Sequence, residues 1–131
     1  MDALRGWTMA ALLLAVALLT GCGAQEGVRP EQDAEERYLI HLTGENTFEP
    51  GTARVPVGAT VRWVVDAGMH DVNAEDESFS STEVHGRDAE GYPIKIGPGD
   101  VFDHTFMEKG RFDYWCHTHH EEGMKGTLIV A

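Results

Sequence analysis

The sequence has few cysteines, few cations and no apolar run long enough to cross a membrane. Its two cysteines, Cys22 and Cys116, stand in such different contexts that a disulfide scaffold is not expected. Lys and Arg number 10 against 22 Asp and Glu, which gives a formal net charge of -12. Because a surface of that sign repels a phosphate backbone, we expect no nucleic-acid partner. The 131 residues suffice for one domain of ordinary size.

Helical periodicity is also lacking. From Arg37 onward, short β-rich segments alternate with turn residues, and no long stretch repeats apolar residues every 3.6 positions. Pro56 has no amide donor, so its strand should lie at an edge or be interrupted there. The polar segment between His70 and Ile94 is expected to form a surface loop that adds little to the core. The pattern predicts an all-β fold, a Greek-key two-sheet β-sandwich over 37–131, with strands at 38–42, 53–57, 60–65, 100–106, 111–116 and 126–130.

The N-terminus predicts an export signal. One cation, Arg5, precedes the apolar run 9–19, which is too short to span a bilayer and suits a signal peptide. The run ends in Leu19-Thr20-Gly21-Cys22, which resembles the lipobox of bacterial lipoproteins. That resemblance implies removal of 1–21, a lipid on Cys22 and an extracytoplasmic, membrane-anchored protein. The alternatives are an ordinary signal peptide and an uncleaved anchor. Residues 22–36 are predicted to be a flexible tether.

A metal site is predicted after the strand that ends near residue 116. Cys116, His119 and Met124 form the pattern C-x2-H-x4-M. A thiolate, an imidazole and a thioether together suit copper, and a trigonal site of two His and one Cys with a distant Met is the blue-copper arrangement. Such a site needs a second histidine, which His70 can supply.

Further motifs make a family resemblance specific. The segment 38–130 resembles the type 1 blue-copper cupredoxins, nearest to plastocyanin, halocyanin and pseudoazurin. The motifs that carry it are Gly58-Ala59-Thr60-Val61-Arg62-Trp63, His70-Asp71-Val72, Pro98-Gly99-Asp100, His104-Thr105-Phe106, Gly110-Arg111-Phe112-Asp113-Tyr114-Trp115-Cys116 and Met124-Lys125-Gly126.

The resemblance implies one copper that cycles between Cu(I) and Cu(II). His70, Cys116 and His119 would hold it in a plane, with Met124 as axial ligand. It implies a carrier of single electrons and not an enzyme, and the motif offers no nucleophile, general base or substrate cavity. Structural or solvent-facing roles are expected for the other histidines. An apolar surface for electron exchange is expected around Gly68, Met69, Pro98, Gly123 and Met124.

Three positions near the site have specific expectations. Asp71 stands where the family commonly has Asn, and its carboxylate is expected to lower the reduction potential. Thr118 replaces a common Pro, which predicts a less rigid loop. Trp115 is expected to point away from the metal, where it provides either a second electron route or a packing aromatic.

The partner expected for such a carrier is a redox protein, such as a cytochrome or a membrane redox complex. A transient electron carrier is expected to be monomeric. A cluster of carboxylates in the polar loop would steer a cationic partner, although a generally acidic surface suited to a saline habitat explains it as well; its members are Glu75, Asp76, Glu77, Glu83, Asp88 and Glu90.

A different function remains open from the sequence. The stretch 117–120 holds three histidines, so the chain could bind Cu(I) and deliver or sense it. Structural zinc on the same ligands is disfavoured, because Cu(II) ranks above Zn(II) and Met is a poor zinc ligand.

Overall fold

A computed structural model describes residues 27–131. Within that range the chain forms eight strands and one short helix. In chain order these are β1 (Tyr38–Leu42), β2 (Phe48–Glu49), β3 (Thr52–Val55), β4 (Thr60–Val65), β5 (Asn73–Ala74), α1 (Thr82–His85), β6 (Val101–Thr105), β7 (Gly110–Trp115) and β8 (Lys125–Val130).

The strands form two four-stranded mixed sheets. The first sheet has the order β2-β1-β4-β6 and the second the order β3-β8-β7-β5. The β1–β4 and β3–β8 pairs are parallel, and the other pairs are antiparallel. The predicted all-β sandwich is confirmed. β3 is an edge strand that ends one residue before Pro56, as expected for a residue without an amide donor.

Alternating burial along the strands builds the core between the sheets. In β4, Val61, Trp63 and Val65 are buried and the residues between them are half-buried. Trp63 stacks on Phe102 at 5.4 Å between ring centroids and meets Tyr114 edge-on at 5.5 Å. An aromatic cluster thus joins the two sheets and gives the loops at the sandwich ends a rigid base.

The polar loop contributes more to the core than its composition predicts. Phe79 is fully buried and stacks on Trp63 at 5.3 Å, and Val72 and Ser81 are buried as well. The Ser81 hydroxyl accepts a hydrogen bond from the Val72 N–H at 3.1 Å, which ties the two ends of the segment together. The expectation that this loop adds little to the core is wrong, because one aromatic ring among polar residues fills a large volume.

The described part of the predicted tether also lies against the domain. Val28 pairs with Ala53 on the β3 edge, and Gln32 pairs with Tyr38. Residues 27–32 therefore do not form a free tether, since Val28 and Glu31 make backbone hydrogen bonds to β3 and β1. The predicted signal peptide, the lipobox and Cys22 lie outside the described residues. In the range 27–131, no helix is long and apolar enough to cross a membrane.

Candidate metal centre

Three predicted ligands meet at one end of the sandwich. One ligand atom each from His70, Cys116 and His119 lies within 4.8 Å of the other two. His119 Nδ1 is 3.3 Å from His70 Nδ1 and 3.5 Å from Cys116 Sγ. His70 and Cys116 are fully buried, whereas His119 is half-buried. A buried thiol beside two imidazoles is the donor set of a type 1 copper site, so the residues present fit the metal.

His70 is placed by the chain segment that crosses between the sheets. β4 belongs to the first sheet and β5 to the second, and residues 66–72 connect them. The His70 backbone pairs with Ile96 through two hydrogen bonds of 2.9 and 2.7 Å. His70 Nε2 lies 2.8 Å from the Ala67 carbonyl, which accepts its proton and leaves Nδ1 free toward Cys116 and His119.

Gly68 makes this position of the imidazole possible. Its φ is +83°, and a Cβ there would lie 2.8 Å from His70 Nε2. Both the left-handed backbone and the close approach of the ring favour glycine. Sequence reasoning did not find the roles of Gly68 and Ala67, although a glycine two residues before a ligand is a usable signal.

The other ligands lie on the loop between the paired strands β7 and β8. The Cys116 N–H donates to the Met124 carbonyl at 3.1 Å, and the Met124 N–H donates to the His119 carbonyl at 3.1 Å. These two hydrogen bonds hold Cys116 and His119 next to Met124 and so fix both ends of the loop. Met124 is fully buried, so it does not belong to the exposed apolar surface expected from the sequence. The other expected members of that surface, Gly68, Met69, Pro98 and Gly123, are exposed.

Asp71 links the two halves of the site. It is 1% exposed, and its Oδ1 accepts the His117 N–H and the Asn73 amide, each at 2.6 Å. Its Oδ2 has no hydrogen-bond partner in the described range. Asp71 follows His70 in the chain, and its hydrogen bond reaches the residue after Cys116. A carboxylate buried between these two ligands places negative charge close to the metal position.

The Cys116 thiol is disfavoured as a free thiolate. Burial raises its pKa above the ordinary value, and the Asp71 carboxylate adds to the rise. Backbone hydrogen bonds from Asp71, His119 and Thr118 oppose that rise. A cation bound between the three ligands would offset the burial penalty of the thiolate, because it supplies the missing positive charge.

The remaining histidines near the loop lie outside this cluster. His117 is exposed and faces the Tyr92 ring at 6.0 Å, and half-buried His120 packs edge-on against Trp115 at 5.0 Å. Trp115 is half-buried and ends β7 directly before the fully buried Cys116, so strand alternation is expected to turn the two side chains to opposite faces of the sheet. His104 packs on Phe106 at 4.8 Å, in accordance with a structural role.

Comparison with known proteins identifies the family. Residues 40–131 match the model of copper binding proteins, plastocyanin/azurin family. The chain is 34% identical over 107 residues to halocyanin of Natronomonas pharaonis, covering 79% of this chain and 61% of that protein. It is 36% identical over 90 residues to plastocyanin of Scenedesmus fuscus, covering 67% and 90% respectively. The chain thus spans about three fifths of the halocyanin and nine tenths of the plastocyanin.

A solved structure supports the fold. A purple cupredoxin from Nitrosopumilus maritimus superposes with a TM-score of 0.51 at 24% identity, covering 71% of this chain and 98% of that one. The family match covers the sandwich from Ile40 in β1 onward, including the three clustered ligands. This chain therefore belongs to the plastocyanin/azurin family of copper-binding proteins and is a type 1 blue-copper cupredoxin.

Proposed function

We propose that the protein carries single electrons through one copper, which His70, Cys116, His119 and Met124 would hold. The observation that supports this most directly is the buried cluster of three ligand atoms within 4.8 Å of one another. When bound, the copper supplies a one-electron couple between Cu(I) and Cu(II). The residues of this chain supply the geometry in which both oxidation states are accommodated.

Rigidity of the ligands is what the fold contributes to electron transfer. His70 is held at its backbone by Ile96 and at its ring by Ala67, and Cys116 is held through Met124. Because these hydrogen bonds do not involve the metal, the ligands are in place before an electron arrives. Little atomic movement then accompanies a change in charge. Burial of His70, Cys116 and Met124 excludes water from the inner side of the site.

Two routes lead from the site to the surface. His119 is the half-buried ligand, and the exposed Met69 and Pro98 provide an apolar surface at the same end of the domain. On the other side, Trp115, the last residue of β7, directly precedes Cys116 and borders a surface concavity together with Tyr92 and Glu83. We propose the apolar surface for close approach of a redox partner and the acidic concavity for attraction of a cationic one, such as a cytochrome.

The proposed location is extracytoplasmic. It is supported by the apolar run 9–19 and the lipobox-like Leu19-Thr20-Gly21-Cys22. A lipid on Cys22 would anchor the domain to a membrane and bring it close to membrane redox complexes. We also propose that the protein acts as a monomer and performs no catalysis of its own, as is common for carriers with small, transient interfaces.

The ligand set is tested by spectroscopy on the domain loaded with one equivalent of Cu(II). We expect an intense thiolate-to-copper absorption band and narrow hyperfine splitting in electron paramagnetic resonance, both lost in Cys116→Ser. His117→Ala serves as the matched control and should retain both signals, because His117 lies outside the ligand cluster. A weak tetragonal spectrum that survives Cys116→Ser would overturn the proposal.

Copper delivery is distinguished from electron transfer by metal exchange. A carrier should retain its copper through repeated oxidation and reduction in the presence of a competing chelator. Rapid loss of copper to the chelator, slowed by replacing His117 and His120, would favour delivery instead. In the described range, the cluster of His70, Cys116 and His119 is the only one whose ligand atoms converge, which supports retention.

A further inference from the structure

Residues 27–32, here called the N-terminal strap, hydrogen-bond to both sheets. The Val28 N–H donates to the Thr52 carbonyl at 2.8 Å, and the Val28 carbonyl accepts from the Arg54 N–H at 2.9 Å. These two bonds add the strap to the β3 edge as a parallel neighbour. At the other end of the strap, the Glu31 carbonyl accepts the Leu39 N–H of β1 at 2.8 Å.

Side chains fix the strap further. Pro30 is buried. The Arg29 guanidinium donates to the Tyr38 hydroxyl at 3.0 Å and lies 5.6 Å from the centre of its ring. Gly27 has a φ of +90°, and a Cβ there would lie 3.0 Å from the Ala53 carbonyl carbon. The strap is therefore a built part of the domain from its first residue onward.

The direction of the strap determines where the chain leaves the domain. β3 begins at Thr52 opposite Thr127, and β8 begins directly after Met124, so Thr52 lies toward the copper end of the sandwich. The strap runs parallel to β3 from Val28 onward and reaches the opposite end near Tyr38. Gly27 is thus the strap residue on the copper side, and the preceding residues attach there.

The remaining chain to Cys22 is short. Cys22 precedes Gly27 by five residues, which span at most about 17 Å when fully extended. Thr52 pairs with Thr127 of β8, which follows Met124 by three residues, or about 10 Å along the strand. The metal position therefore lies within roughly 30 Å of the Cys22 sulfur. A free tether over 22–36 would instead attach at the far end of the sandwich and reach about 50 Å by itself.

We propose that the N-terminal strap holds the copper end of the domain at the membrane surface, where its electron-transfer partner is a membrane-bound redox protein. This inference rests on the proposed lipid on Cys22. Because the strap is hydrogen-bonded to β3 and β1, the chain between Cys22 and the first residue attached to the domain is shorter than a free tether over 22–36. The copper site then stays within a short distance of the bilayer surface. A partner that does not approach the membrane cannot come close enough to exchange electrons with it.

The distance from the copper site to the membrane surface is measured by fluorescence quenching on the full-length lipidated protein, bound to phosphatidylcholine vesicles. The vesicles contain a trace of headgroup-labelled lipid whose emission overlaps the blue-copper band. Cu(II) should quench the label, and reduction to Cu(I) should restore its emission because the band disappears. Fifteen Gly and Ser residues inserted between Glu26 and Gly27 should reduce the quenching several-fold. The same insertion after Lys109, in the turn at the far end of β7, is the matched control and should leave quenching near the wild-type level.

A second variant tests the strap without changing chain length. Val28→Pro removes the N–H that donates to Thr52, so quenching should fall while the blue band remains. Equal quenching by the wild type and the Glu26–Gly27 insertion variant, with both bound to vesicles, would overturn the inference alone. Failure of the wild type to bind vesicles would overturn the lipid anchor and the inference with it, and absence of the blue band would overturn the proposed electron carrier.

Discussion

Asp71 Oδ1 accepts the backbone N–H of His117 at 2.6 Å and so connects the segment that carries His70 to the loop that carries Cys116 and His119. The two segments are 46 residues apart in the chain. An amide at position 71 could make the same bond without a charge. We therefore expect the carboxylate to combine this structural contact with an electrostatic effect on a bound metal.

Replacing Asp71 by Asn should raise the reduction potential of the copper. A carboxylate beside the site should stabilise Cu(II) over Cu(I), and removal of its charge should change that balance by roughly 1–2 kcal/mol, or tens of millivolts. A redox titration followed at the blue band measures the change. Asp76→Asn is the control, since Asp76 is exposed and hydrogen-bonded to Ser78. The reduction potential of the copper in this variant should stay near the wild-type value. An unchanged potential in Asp71→Asn would contradict the electrostatic role.

Replacing Phe79 by Ala should destabilise the domain by about 3–5 kcal/mol. Phe79 is fully buried and packs against Trp63 and Phe106, so its loss leaves a cavity between the sheets. Urea unfolding of the metal-free protein gives the difference. Val84→Ala, at a side chain that is 66% exposed in the same loop, should change stability by less than about 0.5 kcal/mol. Similar stabilities of the two variants would show that the loop does not support the core.

Adding a methyl group at Gly126 should cost about 1–3 kcal/mol or more. A Cβ at this position would overlap the Tyr114 ring. The ring cannot move aside easily, because Phe48 meets it edge-on at 4.7 Å and Trp63 at 5.5 Å. Thermal unfolding of Gly126→Ala should show the loss. Gly110→Ala is the comparison, since a Cβ there has only ordinary contacts of 3.4 Å with Phe112. A loss of stability in Gly110→Ala as large as that in Gly126→Ala would refute the explanation by overlap with Tyr114.

Replacing Thr127 by Val should raise the pKa of Asp113. The Thr127 hydroxyl donates to Asp113 Oδ1 at 2.6 Å, and this bond lowers the pKa of that carboxyl below 3.8. Burial opposes the effect, and Arg111 adds to it. A depressed pKa in the folded state means that the stabilisation is present above about pH 4 and is lost as the pH falls below it. NMR titration of the side-chain carboxyls measures the pKa. Asp76, with its own Ser78 partner, should titrate unchanged in this variant.

Local sequence pattern was enough for the longer strands. Thr60–Val65 has alternating side chains, and its bounds agree with the prediction because β-branched residues and turn glycines define it. The two-residue strands β2 and β5 carry no such pattern. They form because a neighbouring strand already presents free backbone groups, which the sequence of two residues cannot reveal.

The same division applies to the copper site and to the strap. The spacing of Cys116, His119 and Met124 follows from the sequence, since one loop between paired strands carries all three. Their approach to His70, the Asp71–His117 bond, the burial of Phe79 and the attachment of Val28 to β3 depend on contacts between distant segments. The sequence by itself determined the donor atoms and the strand pattern, because these are properties of neighbouring residues. Only the tertiary structure decided which surfaces and edges meet, because that depends on how two sheets pack around a shared core.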